Sequence, residues 1–275
     1  MPPSVLALIL GLLIGSFLNV CIYRLPRDLS VVFPRRSFCP ACEHTIAWYD
    51  NIPVLSYFLL GRRCRYCRKP IPVRYPVVEA MTGLLFFTIV AALGPTAAAA
   101  KLCLLVALLI GLTFSDLEER ILPDEMTIGG TVAGLVLAWL VPLQEGVARA
   151  ILTAQGIYLD ARWTSVAEAV LGAALPAGFL WLGGLLFEKI RHKEGLGLGD
   201  IKMLAMIGAF LGIQATLLTL ILGSVAGSVI GLIYIRATGK DASSYQLPFG
   251  TFLGLAGIVV ALEGQSVIRW YAGLF

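Results

Sequence analysis

The sequence predicts an all-α polytopic membrane protein of about eight transmembrane helices, with a small cytoplasmic zinc-bound loop domain. Three observations carry this. Hydrophobic residues make up 58% and charged residues 14% of the 275-residue chain, and its mean hydropathy is +0.86, values far from those of a soluble domain. Apolar runs of spanning length recur from the first residues to the last. Between the first two runs lies a polar stretch with two C-x-x-C pairs.

The first run, Ser4 to Ile22, has no basic n-region and no small-residue cleavage site, so it reads as a retained helix over 4–23. Further spans are expected over 77–94, 97–115, 126–143, 166–187, 201–213, 215–235 and 247–262. The weakest division is Gly212-Ile213-Gln214, where a slight polar interruption separates two apolar runs. Residues 144–165 read as an outer loop without a chemical signature. The expected organisation is thus a first helix over 1–23, a four-cysteine loop over 24–76 and a membrane core over 77–275.

Basic residues set the orientation, because basic loops resist translocation. Most Lys and Arg, from Arg24 through Lys69 and Arg74 to Lys202 and Lys240, fall on one side of the predicted spans, and only Lys101, Arg149, Arg162 and Arg269 on the other. Both termini are therefore expected outside and the loop 24–76 in the cytoplasm. This sorting accounts for the net charge of +4. No basic face with interleaved aromatics stands apart from the membrane flanks, which argues against nucleic acid.

Within the loop, Cys39-Pro40-Ala41-Cys42 and Cys64-Arg65-Tyr66-Cys67 are separated by residues 43–63, a spacing that lets two tight knuckles meet around a tetrahedral zinc ion. A cytoplasmic location favours zinc over disulfides, the competing reading being two thiol pairs. Four thiolates fill the coordination sphere, so the metal is structural. His44 beside the first knuckle reads as a neighbouring or surface residue, and Cys21 and Cys103 as small buried hydrophobes. A loop rich in aromatics, prolines and arginines is expected to fold around the ion and dock on the membrane surface.

Asp116 ends the third predicted span, and Asp200, in Gly197-Leu198-Gly199-Asp200, opens the sixth. Both fall at the cytoplasmic boundary, where an ionisable group is costly and function is the default reading. An N-cap is the bland alternative for Asp200. Two facing carboxylates can hold a water between them, one accepting its proton and the other protonating the carbonyl under attack, which is peptide hydrolysis without a nucleophilic side chain. The helix dipole suggests that Asp200, at a helix start, is the ionised member, and that Asp116, at a helix end, is protonated. Gly197 and Gly199 are expected to let a substrate backbone approach and to adopt positive φ. Asp124 reads as an N-cap, with a substrate contact as the other reading. Glu79 either lines the site or snorkels to nearby arginines, and Asn19 is expected to make an interhelical hydrogen bond. Neither His44 nor His192 lies in a recognisable triad.

Taken together these segments closely resemble the type 4 prepilin peptidases, bacterial GxGD membrane aspartic proteases. The resemblance is carried by Gly15-Ser16-Phe17-Leu18-Asn19-Val20 leading to Tyr23-Arg24-Leu25-Pro26, both cysteine pairs, Trp48-Tyr49-Asp50-Asn51-Ile52-Pro53, and Arg74-Tyr75-Pro76 with Glu79. It continues through Asp116 to Leu122-Pro123-Asp124, Glu194 to Asp200 with Lys202, and Pro248-Phe249-Gly250. It implies an enzyme of the bacterial inner membrane that cuts the basic leader from type IV prepilins or pseudopilins and methylates the new N-terminal residue with S-adenosylmethionine. The family's catalytic aspartates fall on Asp116 and Asp200, and its four cysteines on Cys39, Cys42, Cys64 and Cys67. Methyl transfer rests on the resemblance alone, since the sequence holds no glycine-rich nucleotide fingerprint after a strand. A proton-coupled transporter would use an acid pair but leave the cysteine loop unexplained. A noncatalytic assembly protein would use the loop but not the acids.

Overall fold

The computed structural model describes residues 1–143, 146–191, 197–238 and 248–273. Among them helix is the only extended secondary structure, with no strand beyond two isolated β-bridges. Every apolar segment expected to span becomes a helix: α1 (Pro3–Arg24), α3 (Arg74–Leu93), α4 (Ala97–Glu119), α5 (Asp124–Leu140), α7 (Ala161–Arg191), α8 (Leu198–Leu211), α9 (Ile213–Thr238) and α10 (Phe249–Ala272). Two short helices, α2 (Leu55–Leu59) and α6 (Val147–Ala154), complete the set. The expectation of about eight crossings is not confirmed: among the described residues five helices are long and apolar enough, α1, α3, α4, α7 and α9. The reason is length. At about 1.5 Å per residue, the 14 residues of α8 reach roughly 21 Å, short of a hydrocarbon core about 30 Å thick. The outer loop expected over 144–165 holds α6, and α7 begins within it.

The chain clusters into two compact units, Met1–Phe114 and Ser115–Phe275. In the first, α1 and α3 pack closely along a seam of small residues. A methyl group on Gly15 would fall 2.7 Å from the Glu79 Cα, so only glycine lets the two backbones approach here. Asn19 spans the same seam, its Nδ2 donating to the Tyr75 carbonyl at 3.1 Å, as expected of an interhelical bond. Cys21 and Cys103 are buried, also as expected.

In the second unit, α7 and α8 cross with backbones almost touching, since a methyl on Gly208 would overlap the Gly172 carbonyl. The chain breaks at Gly212, where φ is +80°. The new helix α9 starts under a carboxylate from a neighbour: Glu168 of α7 accepts the Ile213 N–H at 3.0 Å and the Ala148 N–H of α6 at 2.7 Å. One buried side chain thus satisfies orphan donors at two helix starts. The faint polar interruption at 212–214 is therefore a real division.

Candidate active site

Three helix ends of the second unit build the site. Asp116 lies in the last turn of α4, where its carbonyl accepts the Arg120 N–H at 3.0 Å, and Arg120 leaves the helix with a φ of +56°. The neighbouring Ser115 hydroxyl donates to the Ile121 carbonyl at 2.7 Å, which folds the exit loop back against the helix end and places Leu122. The second element is the start of α8. Gly197 takes the N-cap position with φ −68°, and Asp200 is the third helical residue. A capping role alone is therefore excluded for Asp200. The third element is the start of α10, where Phe249, Gly250 and Thr251 are the first residues of the helix.

Leu122 is the common floor. A methyl on Gly199 would come within 3.1 Å of the Leu122 Cβ, and one on Gly250 within 3.0 Å of its Cδ1 and 3.1 Å of the Asp116 carboxyl. Glycine at the second position of each helix lets both starts press onto the same side chain. The expected positive φ at Gly197 and Gly199 is corrected: among the described residues neither adopts it, and Gly199 is needed for close packing.

The surroundings of the two acids differ. Asp116 is buried, 5% exposed, and its Oδ2 accepts two hydrogen bonds from Thr251, from the backbone N–H at 2.6 Å and the hydroxyl at 2.9 Å. Donors of this kind stabilise a carboxylate anion. The dipole argument from α4 alone missed the start of α10, which brings its own free N–H groups to Asp116. Asp200 stands ahead of the apolar stretch of α8, a helix too short to cross, and is pushed up to about 7 by burial first and then by the charge of Asp116. The two acids are close enough to act on one another.

Other expected residues fall as follows. Asp124 is not an N-cap, a position held by Pro123; it is the first residue of α5 without a capping bond, and both its oxygens accept from Lys202 Nζ, at 2.7 and 2.9 Å. The pair ties the start of α5 to α8. Glu79 belongs to the first unit and does not snorkel: it is 8% exposed and accepts the Val54 N–H at 2.7 Å. His192 and the motif residues Glu194 to Leu196 lie outside the described residues. Thr251 and Ser115 escaped the sequence reading, although Pro248-Phe249-Gly250 marked the helix start that carries Thr251.

In the first unit the four cysteines converge, their Sγ atoms lying within 4.8 Å of one another. Each pair sits in a small turn closed by a β-bridge, Phe38 to Thr45 and Arg63 to Pro70. The turns match in detail: the Cys39 N–H donates to the His44 carbonyl at 3.0 Å and the Cys64 N–H to the Lys69 carbonyl at 2.9 Å. The residue after the second cysteine is left-handed in both, Glu43 at φ +56° and Arg68 at +59°. Backbone N–H groups of Cys67 and then Tyr66 draw the Cys64 thiol down to about 7. Cys42 is instead pushed up to about 11; its bond from the His44 backbone is outweighed by burial and the neighbouring sulfurs. Such a cluster cannot hold four negative charges without a cation, and it can hold a metal ion. His44 is exposed and lies against the Tyr66 ring at 3.6 Å, a neighbour of the site and not a fifth ligand. Asp50, on the same module, is held below the usual carboxylate range by hydrogen bonds from Arg65 at 2.5 and 2.6 Å.

Residues 9–93 match the family described as Bacterial Peptidase A24 N-terminal domain, and residues 103–232 match the Type IV leader peptidase family. A prepilin leader peptidase/N-methyltransferase of Aeromonas hydrophila is 36% identical over 292 residues, covering 97% of this chain and 92% of that protein. The chain belongs to the type IV leader peptidase family. Two more relatives in the family carry the same name. The one from Myxococcus xanthus (strain DK1622) is 43% identical over 86% of this chain and 64% of its own length. The one from Pseudomonas putida is 34% identical over 95% and 91%. No solved structure matches the chain with comparable significance.

Proposed function

We propose that the chain is a membrane aspartic endopeptidase that removes the leader from type IV prepilins or pseudopilins and N-methylates the new N-terminal residue. The observation that carries the reading is the meeting of three helix ends at Asp116, with Thr251 donating twice to its carboxylate and Asp200 within reach of its charge. Asp116, ionised, accepts a proton from the attacking water while Asp200, protonated, donates to the scissile carbonyl oxygen. The tetrahedral adduct then collapses: the C–N bond breaks, Asp200 takes back a proton from a gem-diol hydroxyl as the carbonyl re-forms, and the proton gained by Asp116 passes to the leaving amine. This assignment reverses the order inferred from the α4 dipole. Gly197 keeps the approach to Asp200 open, Gly199 seats the helix start on Leu122, and the Asp124–Lys202 pair holds α5 against α8 beside it.

The metal of this reading is zinc. At a Zn–S distance of about 2.3 Å, tetrahedral sulfurs lie roughly 3.8 Å apart, and Cys39 and Cys67 are 3.8 Å apart. Cys39, Cys42, Cys64 and Cys67 would hold it, supplying rigidity and no open position for chemistry. S-adenosylmethionine supplies an electrophilic methyl group when bound. The basic flanks favour an inner-membrane enzyme with the acids and the cysteine loop on the cytoplasmic side and both termini outside. The test is leader cleavage of a prepilin in reconstituted membranes, with the product N-terminus read by mass spectrometry. Cleavage that persists in both Asp116→Asn and Asp200→Asn would overturn the reading.

A further inference from the structure

The loop between α1 and α3 does not lie wholly beyond the ends of those helices. The Val54 N–H reaches the Glu79 carboxylate at 2.7 Å, and Glu79 stands about 7.5 Å along α3 from Arg74. On α1 the same level is marked by Gly15, where a methyl would fall 2.7 Å from the Glu79 Cα, and Gly15 stands roughly 13 Å from the Arg24 end of its helix. Both helices are apolar and long enough to cross a membrane. Helix α2 opens immediately after Val54 and so starts beside the spanning parts of its neighbours. Val54 makes the entry with φ +62°, a costly conformation for a β-branched residue, and the bond to Glu79 holds it there.

At this level α2 sorts its side chains. Ser56 is buried, its hydroxyl donating to the Tyr49 carbonyl at 3.1 Å and accepting the Ile52 N–H at 2.9 Å. Leu55, Phe58 and Leu59, spaced i, i+3 and i+4, share another face and are exposed, Leu59 by 72%. Trp48, in the turn just before, is 81% exposed. Phe17 of α1 and Val77 of α3 stand exposed near the same level, as residues of a span that face lipid do. Beyond α2 the chain turns through positive φ at Gly61 and Arg62 and presents Arg62, Arg63, Arg68 and Lys69, all exposed. The acid of this stretch, Asp50, is taken by Arg65. An apolar and aromatic face followed by a basic row is the order met on passing from acyl chains to phosphates.

We propose that residues 48–59 form an in-plane membrane anchor, with the Leu55, Phe58 and Leu59 face seated among the upper acyl chains of the adjacent leaflet and the basic row of 62–69 at the phosphates. Glu79 fixes the depth of the anchor through Val54, and the anchor holds the cysteine module against the membrane. The test uses the full unaltered chain in nanodiscs of phosphatidylcholine doped with a phosphatidylcholine that carries a diazirine near the top of its acyl chain. After illumination, lipid adducts are mapped by mass spectrometry. Peptides covering 48–60 should carry adducts, as should 77–93, which includes the exposed Leu84 of α3. Phe58→Glu combined with Leu59→Glu should lower the 48–60 adducts about tenfold relative to those of 77–93, the order expected when two apolar side chains are withdrawn from lipid, with metal content and thermal unfolding as checks on folding. Adducts on 77–93 with none on 48–60, or 48–60 adducts unmoved in the folded double variant, would overturn the proposal. A chain with Leu59 replaced by photoreactive benzoylphenylalanine decides it where the double variant fails to fold: coupling to lipid supports the anchor, and coupling to a second copy or another protein in place of lipid overturns it.

Discussion

Replacing Thr251 by valine removes one donor to Asp116 and little else. The side chain keeps its volume, and the backbone N–H remains at 2.6 Å while the hydroxyl bond at 2.9 Å is lost. A hydrogen bond to a charged group contributes about 1.5–3 kcal/mol, and the surviving N–H argues for the lower end. At about 1.4 kcal/mol per factor of ten, kcat/KM for leader cleavage should fall roughly ten- to thirtyfold. The assay is prepilin cleavage in proteoliposomes across a pH series, with zinc content as a check that the fold is intact. The acidic limb of the profile should move to higher pH, because the anion that takes the water's proton has lost support, and Thr251→Ser should restore most of the rate. Wild-type turnover with an unmoved limb in Thr251→Val would show that the two bonds to Asp116 are incidental to catalysis.

Asp116→Asn and Asp200→Asn should each abolish cleavage, whereas Asp124→Asn should retain substantial activity: its ion pair with Lys202 is partly exposed, and such pairs contribute about 1 kcal/mol or less. Steady-state cleavage by all three decides it, and full loss in Asp124→Asn beside normal rates in Asp116→Asn would reverse the assignment. Metal analysis should find one zinc per chain, and Cys64→Ser should damage methylation more than cleavage; a Cys64→Ser protein that methylates normally but cannot cleave would contradict this. Cleavage should decline as pH rises through about 7, because Asp200, pushed up to that value by burial and then by Asp116, must carry its proton to donate it. A rate that stays level well above that pH would remove Asp200 as the acid, and assigning the step to one residue needs carboxyl-stretch infrared spectra of the two Asn variants.

The parts of this fold legible in the sequence are those encoded locally. Apolar runs marked every long helix, Gly212 marked the break between α8 and α9, and the paired knuckles followed from cysteine spacing. The number of crossings is harder to read, because apolarity signals burial in protein as readily as in lipid: Met203, Leu204, Met206 and Ile207 of α8 are fully buried. Glu168, inside the span expected over 166–187, carried no signal of its role, since that role depends on two helix starts distant in sequence. Thr251 was hidden for the same reason. A threonine early in a helix carries no chemical signature until folding sets it against a carboxylate.

The same distance hides the start of α10 from a reading of the acids in the sequence, and the geometry makes the proposed order more than a local detail. Helices α8 and α10 begin alike, with glycine second and the functional residue third, Gly199-Asp200 and Gly250-Thr251, and both glycines rest on Leu122. Two helix N-termini, each with free N–H groups, thereby lie at the two acids, one buried and one half-buried. They favour the first negative charge on the pair, and the Thr251 bonds direct it to Asp116. The second charge is opposed by burial and by the first. On the proposed assignment the resting state is a monoanion with its proton on Asp200, the state acid–base hydrolysis requires before substrate arrives.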